Sequence, residues 1–506
     1  MSWLSFDNLS NYISGYLLLD ILLISVFVLN IIFAISLIFL ERRRSPQSLW
    51  AWLLILLFIP LVGFILYMLF GRTIYRQNLF QMDEEEQARL EGIVDDQLEK
   101  LQGREGEFPN AVTEKHKAFI HMMLKSHLTF LTDNNSVETF TNGREKFDRL
   151  LEDIRNAKDH IHLQYYIFRM DVIGREIYDA LVEKQKEGVA VKVLYDDLGS
   201  RSLGNRHFKE LRKAGGRVAA FFPSVLPLIN PRLNNRNHRK LVIIDGVTGY
   251  IGGFNVGDEY VGFDKHKGEW HEAKLPPRRD THLRIEGDAV KLLQLRFMLD
   301  WNSHNKRSNL RWEEHYFPSV EYDGNVAMQI ASSGPDEEFQ QVKNGYFDMI
   351  NSAKETLYIQ TPYFIPDQSI YEAIKSAILR GVKVHLMIPD HPDHPFVYWA
   401  TYANAGELVD LGAEVYIYET GFMHAKMIMI DDEMVSIGTT NFDVRSFYLN
   451  FEVNAFIFDE EEAVRQRRTF EEDMKSSTLL TKEKYESRSN WIRLKEVLAN
   501  LISPIL

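Results

Sequence analysis

Two segments near the N-terminus are apolar without interruption. Residues 21–40 and 49–70 contain no charged side chain, and each run is long enough to cross a bilayer core of about 30 Å as a helix. Pro60 lies inside the second run, where a membrane helix tolerates proline. No Lys or Arg precedes residue 42, so the basic start of a cleaved signal peptide is missing. We therefore predict a transmembrane hairpin in residues 1–75, with spans at about 17–40 and 48–70, in preference to two buried core helices.

Beyond the hairpin, short apolar runs alternate with amphipathic stretches. Residues 76–135 are rich in charge and predict a connecting region with helical stretches. Two successive segments, 136–320 and 321–506, each predict the order strand, helix, strand, helix, strand. This order indicates an α/β fold with a largely buried sheet in each segment.

The two segments also match each other in sequence. Residues 154–158 match residues 350–354, and Gln164 has a counterpart in Gln360 within a similar apolar run. Internal repeats decide architecture, and this repeat is one domain long. We predict two domains related by a pseudo-twofold axis, with one site shared at their interface.

One eight-residue pattern, H-x-K-x4-D, occurs twice, at residues 238–245 and 424–431. A glycine and an asparagine follow each copy at identical offsets. A single copy is a moderate signal, whereas two copies with the same trailing residues indicate a functional site rather than two structural histidines. Each copy ends in an apolar run followed by Asp-Gly or Asp-Asp, which predicts a short buried strand and a turn.

Side-chain alternation along these strands divides the motif between two faces. His238 and Lys240 are two residues apart and share one face, while Asp245, at an odd offset, faces away or sits in the turn. The second copy has the same spacing, so Asp431 is placed like Asp245. We expect both aspartates, although part of the motif, to hold the loop rather than contact a substrate.

Facing copies of this motif suit chemistry on a phosphodiester. Lysines and asparagine amides hold the anionic oxygens, one neutral imidazole attacks phosphorus, and the other, protonated, donates a proton to the leaving alkoxide. The residues alone do not decide which histidine attacks. The candidate catalytic set is His238, Lys240, Asp245, His424, Lys426 and Asp431, with Asn255 and Asn441 as phosphate ligands and no metal ligand.

This division of labour requires the two imidazoles to rest in opposite protonation states, which nearby carboxylates could set. The candidates are Asp280, in the segment 279–282, and Glu452, in the segment 450–452. An ordinary salt bridge is the alternative role for each of them.

Composition excludes few classes of protein. The net charge is −13, from 71 acidic and 58 basic residues, which argues against a nucleic-acid partner because such proteins need a basic surface. The chain has no cysteine, so disulfides and thiolate metal sites are excluded. Basic residues lie at both ends of the second predicted span. Arg42–Arg44 lie in the predicted turn, residues 41–46, and Arg72 and Arg76 follow the span, so they do not assign a side of the membrane.

The doubled motif resembles the phospholipase D superfamily. Within it, the segments 251–260, 279–282, 421–426 and 441–446, together with the double apolar run, resemble bacterial cardiolipin synthases. The resemblance implies two phospholipase D-like α/β sandwich domains in a multi-pass protein of the cell membrane. It also implies a reversible phosphatidyl transfer between two phosphatidylglycerol molecules, giving cardiolipin and glycerol without cofactor or obligatory metal.

The resemblance further implies individual roles. His238 is the expected nucleophile, forming a phosphohistidine, and His424 the acid and later the base. The superfamily has a Gly-Ser pair after the motif. The serine position is Gly253 in the first copy and Thr439 in the second. A hydroxyl that binds the phosphate is therefore expected only from Thr439. Phosphatidylglycerol and other anionic membrane phospholipids are the expected partners.

Three other functions use the same features. A phospholipase D-type hydrolase would pass the phosphatidyl group to water, and a nuclease is disfavoured by the apolar anchor and the acidic charge. A catalytically inactive membrane scaffold is disfavoured because all eight motif positions, two each of His, Lys, Asp and Asn, are intact.

Overall fold

The computed structural model describes residues 20–22, 24–36, 46–67, 71, 79–80, 82–102, 108–126, 129–204, 206–223, 232, 234–264, 269–270, 277–305, 309–391 and 393–502. These residues fall into two compact units. The first contains the described residues up to 71 with residues 232 and 234, and the second contains the rest.

The first unit is a small assembly of apolar helices. Its elements are a helix over residues 24–36, α1 (Pro46–Phe58) and α2 (Pro60–Leu66). The ring of Phe33 packs edge-on against Phe64 and Tyr67, with ring centroids 5.0 and 5.2 Å apart. The side-chain amide of Asn30 donates a hydrogen bond to the carbonyl of Leu56. The two apolar runs of the sequence therefore pack against each other, while many of their large side chains remain exposed.

The predicted second span is not one continuous helix. α1 ends at Phe58 and α2 begins at Pro60, with Ile59 between them at φ −134° and ψ 66°. Proline disfavours helical geometry in the residue that precedes it, which explains the break. In the described part of the chain, no helix combines the length and apolar character needed to cross a membrane. Most of the predicted turn, residues 41–46, and parts of both predicted spans lie outside the described residues.

The second unit holds both predicted α/β domains. Its strands are β1 (Leu131–Phe140), β2 (His160–Tyr165), β3 (Ala190–Asp196), β4 (Arg217–Phe221), β5 (Leu241–Ile244), β6 (Thr248–Gly252), β7 (Phe263–Asp264), β8 (Glu269–Trp270), β9 (His282–Glu286), β10 (Val326–Ser333), β11 (Thr356–Gln360), β12 (Phe364–Ile365), β13 (Lys383–Pro389), β14 (Glu414–Tyr418), β15 (Met427–Ile430), β16 (Met434–Gly438), β17 (Phe442–Asp443), β18 (Glu452–Phe458) and β19 (Ser477–Leu479).

The helices of this unit begin in the predicted connecting region and continue through both halves. They are α3 (Glu84–Gln102), α4 (Ala111–Lys115), α5 (Lys117–Ser126), α6 (Gly143–Asn156), α7 (Val172–Lys186), α8 (Lys209–Lys213), α9 (Ala289–His304), α10 (Gln341–Ser352), α11 (Gln368–Leu379), α12 (Pro395–Leu411), α13 (Val444–Tyr448), α14 (Glu460–Met474), α15 (Lys482–Glu486) and α16 (Asn490–Ile502).

One sheet of fifteen described strands runs through both halves. Its order is β19-β14-β13-β11-β15-β16-β18-β10-β1-β9-β6-β5-β2-β3-β4. The first half reads β1-β9-β6-β5-β2-β3-β4 outward from the centre, and the second half reads β10-β18-β16-β15-β11-β13-β14. The halves join where β1 and β10 pair antiparallel. The α/β fold and its duplication are confirmed, and the continuous sheet is a feature that the sequence did not predict.

The strands that follow the two histidines lie deep in this sheet. β5 and β15 are four apolar residues each, and every one is buried. Each strand then reverses at an aspartate in the left-handed region, with φ 54° at Asp245 and 52° at Asp431. Aspartate and asparagine adopt this region more readily than other non-glycine residues. A buried strand and its turn thus anchor each motif in the sheet.

Candidate active site

The two motif aspartates bind backbone rather than reacting groups. Asp245 accepts hydrogen bonds of 2.8–3.0 Å from the backbone N–H groups of residues 158–160. Asp431 accepts equivalent bonds of 2.8–2.9 Å from residues 354–356. Each carboxylate therefore joins the turn after β5 or β15 to the start of β2 or β11. This is the loop-holding position that alternation predicts.

His238 is held from the opposite half of the molecule. Its Nδ1 lies 3.0 Å from both carboxylate oxygens of Glu452, the first residue of β18. Its backbone N–H donates to the carbonyl of Phe451 at 2.9 Å, which fixes the two segments side by side. The ring of Tyr166 packs edge-on against the imidazole at 5.0 Å. With Nδ1 engaged, Nε2 is the ring nitrogen left for chemistry.

His424 is held in the same way by the first half. Its Nδ1 lies 2.5 Å from Oδ2 of Asp280, and its backbone N–H donates to the carbonyl of Arg279 at 2.7 Å. Asp280 has no exposed surface and stands just before β9. Both predicted carboxylates thus contact a histidine, and each contacts the histidine of the other half. Neither half can orient its own histidine with these carboxylates.

The two lysines are buried beside the histidines. Lys240 Nζ donates to the carbonyl of His238 at 2.5 Å. Lys426 Nζ donates to the carbonyl of His424 and lies 2.9 Å from its Nδ1. Burial lowers the pKa of Lys240 to about 7 and that of Lys426 to about 8. Because burial disfavours the charged form of both lysines, an anion bound beside them would stabilise that form.

Burial also sets the protonation of the imidazoles. It lowers the pKa of His238 to about 4, against the opposing effect of Glu452. It lowers the pKa of His424 well below its ordinary value, aided by the charges of Lys426 and Arg278. We predicted opposite resting states, but burial outweighs the carboxylates and favours the neutral form of both rings. Burial raises the pKa of Asp280 to about 6.

The predicted phosphate ligands have different surroundings. Asn255 donates to the Tyr260 hydroxyl at 2.9 Å and accepts from the backbone N–H of Ile167 at 3.1 Å, so its amide is engaged within the protein. Asn441 is buried, and its Oδ1 has no hydrogen-bond partner among the described residues. Thr439 donates its hydroxyl to Oε2 of Glu452 at 2.5 Å. The Thr439 hydroxyl therefore binds the Glu452 carboxylate, whereas the resemblance implied that it binds the phosphate.

Gly253 stands where the second half has Thr439, and its lack of a side chain has a structural cause. A Cβ at this position would lie 1.9 Å from Oδ1 of Asp280. The two halves thus support their carboxylates differently. The first half leaves space for the short Asp280, and the second half adds a hydroxyl beside the longer Glu452.

Two buried arginines position the carboxylate-bearing segments, a role that the sequence analysis missed. Arg239 donates to the carbonyl of Glu452 at 3.0 Å and pairs with Asp300 at 2.7 Å. Arg279 donates to the carbonyl of Asp280 at 2.6 Å and to Asp473 at 3.0 Å. Their fixed charge and several donors suit bridging of this kind.

The repeated glutamines belong to the same supports. Gln164 donates to Asp300 at 2.7 Å, and Gln360 donates to Asp473 at 2.8 Å. Their match between the halves was the one sequence signal that pointed to these carboxylates. The arrangement of paired histidines, crossed carboxylates and buried lysines can hold a phosphodiester and move one proton on either side of it.

Comparison with known proteins agrees with this chemistry. The family model described as cardiolipin synthase, phospholipase D-like domain, matches residues 150–267 and 346–474. A second model, described as phospholipase D-nuclease N-terminal, matches residues 28–72. The two matches of the first model fall in the two halves of the repeat.

Curated relatives match almost the whole chain. A cardiolipin synthase of Staphylococcus aureus strain Mu50 is 53% identical over 490 residues, which cover 97% of each chain. The major cardiolipin synthase of Bacillus subtilis strain 168 is 53% identical over 487 residues, covering 96% of this chain and 99% of that one.

Among solved structures, phosphatidylserine synthase of Haemophilus influenzae has a similar fold. The TM-score is 0.55 at 16% identity, and the match covers 75% of this chain and 97% of that chain. At this identity the likeness concerns the fold alone.

Proposed function

Because this chain belongs to the cardiolipin synthase family of the phospholipase D superfamily, we propose that it transfers a phosphatidyl group from one phosphatidylglycerol to another, giving cardiolipin and glycerol. The observation that carries the proposal is the pair of buried histidines, each oriented by a carboxylate of the other half. Two imidazoles in similar surroundings, each beside a buried lysine (Lys240 or Lys426), suit an in-line displacement at phosphorus.

In the first step, His238 Nε2 attacks the phosphorus of the donor lipid. The N–P bond forms while the bond from phosphorus to the oxygen of the headgroup glycerol breaks. His424 gives its Nε2 proton to this departing alkoxide, which leaves as glycerol. The charge of the lysines stabilises the equatorial oxygens in the transition state. Glu452 keeps Nδ1–H of His238 in place, so the attacking nitrogen faces phosphorus.

In the second step, the hydroxyl of the acceptor lipid attacks the phosphohistidine. Neutral His424 takes its proton, the new O–P bond forms, and the N–P bond to His238 breaks. Both steps need His424 to change protonation state. A bound phosphodiester adds negative charge near Asp280 and raises the pKa of His424 from the low value that burial sets.

We also propose that the first unit holds the protein in the membrane as two spans. Support comes from the uninterrupted apolar runs, their mutual packing and their exposed large side chains. Because the chain has no native cysteine, single cysteines placed at residues 2, 43 and 74 can be labelled with an impermeant maleimide in intact cells. We expect residues 2 and 74 to be labelled from the same side of the membrane and residue 43 from the opposite side. Labelling of all three residues from one side would contradict a hairpin.

The product assay tests the transfer itself. Purified full-length protein is incubated with vesicles of phosphatidylglycerol, and lipids and water-soluble products are separated. Cardiolipin and glycerol in equal amounts are expected. Phosphatidic acid as the sole lipid product would make the protein a hydrolase, and no product at all would favour an inactive scaffold.

A further inference from the structure

One basic side chain beside the site has no role in the mechanism described so far. Arg278 lies just before Arg279 and Asp280, the pair that holds His424. Its guanidinium carbon is 4.8 Å from the ring centre of Phe422 and 5.6 Å from that of Tyr260. Both of these rings also pack around His424, with centroids 6.0 and 5.8 Å from the imidazole. Arg278 and His424 therefore share the same aromatic surroundings.

The guanidinium lies against two rings and is only loosely paired with a carboxylate. Its nearest described carboxylate oxygen, on Asp393, is 3.9 Å from Nη1, and Asp393 also accepts a 2.6 Å hydrogen bond from the Tyr363 hydroxyl. The Arg278 side chain keeps 27% of its surface exposed. Its position over two rings leaves N–H donors that can bind two oxygens of a tetrahedral phosphodiester.

The chemistry of transfer requires such an anion on this side. His424 takes the proton of the acceptor hydroxyl, so the acceptor headgroup reaches the site next to His424. If the acceptor is phosphatidylglycerol, that hydroxyl is only three carbons from a second phosphate. Lys240 and Lys426 already serve the phosphate that reacts, so the second negative charge needs another cation.

We propose that Arg278, with Tyr260 and Phe422, binds the phosphodiester of the acceptor lipid and thereby selects a phospholipid over an uncharged alcohol or water. This inference rests on the proposed function and adds an acceptor site to it. The equivalent position in the second half is Asn450, whose amide donates to Glu452 at 3.3 Å beside His238. The pseudo-symmetry thus supplies no matching guanidinium at that position on the donor side.

The test gives one phosphatidyl-enzyme two acceptors. Wild type and Arg278→Gln are incubated with phosphatidylglycerol vesicles containing [14C]glycerol. Cardiolipin reports transfer to an acceptor with a phosphate, and labelled phosphatidylglycerol reports transfer to one without. For Arg278→Gln we expect cardiolipin formation to fall about 10- to 100-fold, the worth of one or two hydrogen bonds to a charged group. Glycerol incorporation should stay within about twofold.

Two further variants keep the result interpretable. Arg278→Lys keeps the charge without the planar fork and should recover part of the lost cardiolipin synthesis. Arg144→Gln removes an arginine from a surface pair with Asp148 and should change neither reaction. An equal fall of both reactions in Arg278→Gln, or no fall in either, overturns the acceptor site. Wild type that makes only phosphatidic acid overturns the proposed function instead.

Discussion

The two halves of the second unit share one plan and differ at the positions that touch the chemistry. Both contain the same strand order, the same H-x-K-x4-D motif and the same aspartate that binds three backbone N–H groups. The carboxylate that each half lends to the other differs. Asp280 approaches His424 through one oxygen at 2.5 Å, whereas Glu452 presents both oxygens to His238 at 3.0 Å.

This difference shows how a duplicated fold places its two histidines in unequal surroundings. A displacement through a covalent intermediate needs one imidazole that attacks and another that shuttles a proton. Duplication supplies two equivalent positions, and local substitutions then separate them. Thr439 supports Glu452, Gly253 leaves space for Asp280, and Arg278 has Asn450 as its counterpart.

Replacing each histidine in turn gives the strongest test of whether the two halves have different roles. His238→Ala and His424→Ala should each lower phosphatidyl transfer by about 10⁴-fold or more, because each removes a reacting group. Only the first should abolish the covalent intermediate. The intermediate is formed with 32P-labelled phosphatidylglycerol and is quenched and mapped in denaturant at alkaline pH, because the N–P bond of phosphohistidine is hydrolysed in acid. The label should be found on His238 in the wild type and in His424→Ala. Label on His424 would reverse the assignment of the halves.

Neutralising the exchanged carboxylates should have the next largest effect. Glu452→Gln and Asp280→Asn keep shape but lose the charge that orients and stabilises each imidazole, so kcat should fall about 10²- to 10⁴-fold. The measurement is rapid quench of labelled enzyme. Glu452→Gln should slow formation of the intermediate. Asp280→Asn should slow both formation and breakdown, because His424 acts in both steps. Identical effects on both phases would show that the halves are functionally equivalent.

The Gly253 and Thr439 positions should respond unequally. Gly253→Ala places a methyl group against the Asp280 carboxylate and should lower kcat about 10²-fold by displacing it. Thr439→Val removes one hydrogen bond to Glu452 and should cost about 10-fold, near 1.4 kcal/mol. Steady-state transfer by both variants, with circular dichroism as the folding control, measures the ratio. A larger loss for Thr439→Val would contradict the structural account.

The two lysines should limit activity at high pH. Burial lowers their pKa values, to about 7 for Lys240 and about 8 for Lys426, so the free enzyme loses positive charge as pH rises through this range. We expect kcat/KM for phosphatidylglycerol in mixed micelles to decline above pH 7–8, while kcat declines later because the bound phosphate retains the protons. A value of kcat/KM that stays constant to pH 9.5 would contradict this.

The smallest effect on catalysis is expected at the motif aspartates, where the halves are alike. Asp245→Ala and Asp431→Ala each leave three backbone N–H groups without their acceptor and should lower the free energy of unfolding by about 2–4 kcal/mol. The activity of the remaining folded protein should stay within about threefold of wild type. Thermal unfolding and activity per folded molecule separate the two quantities. A loss of kcat without a loss of stability would indicate that these aspartates take part in the reaction.

Much of this site was predictable because its signals are local. Strand alternation predicted that His238 and Lys240 share a face and that Asp245 faces away or sits in the turn. β5 covers only Leu241–Ile244, and Asp245 lies in the turn that follows it. The repeat predicted two similar α/β halves, and the intact motifs predicted chemistry on a phosphodiester. The break at Ile59 was missed because Pro60 was treated as tolerable in a membrane helix rather than as a helix start.

The sequence by itself therefore determined the duplicated α/β fold, and it predicted the reacting residues and the structural role of the motif aspartates. Only the tertiary structure decided which carboxylate serves which histidine. His238 and Glu452 are 214 residues apart, and Asp280 and His424 are 144 apart. No short-range period encodes pairs so distant. They meet because β1 and β10 join the two halves into one sheet, which places each carboxylate-bearing strand beside the motif of the other half.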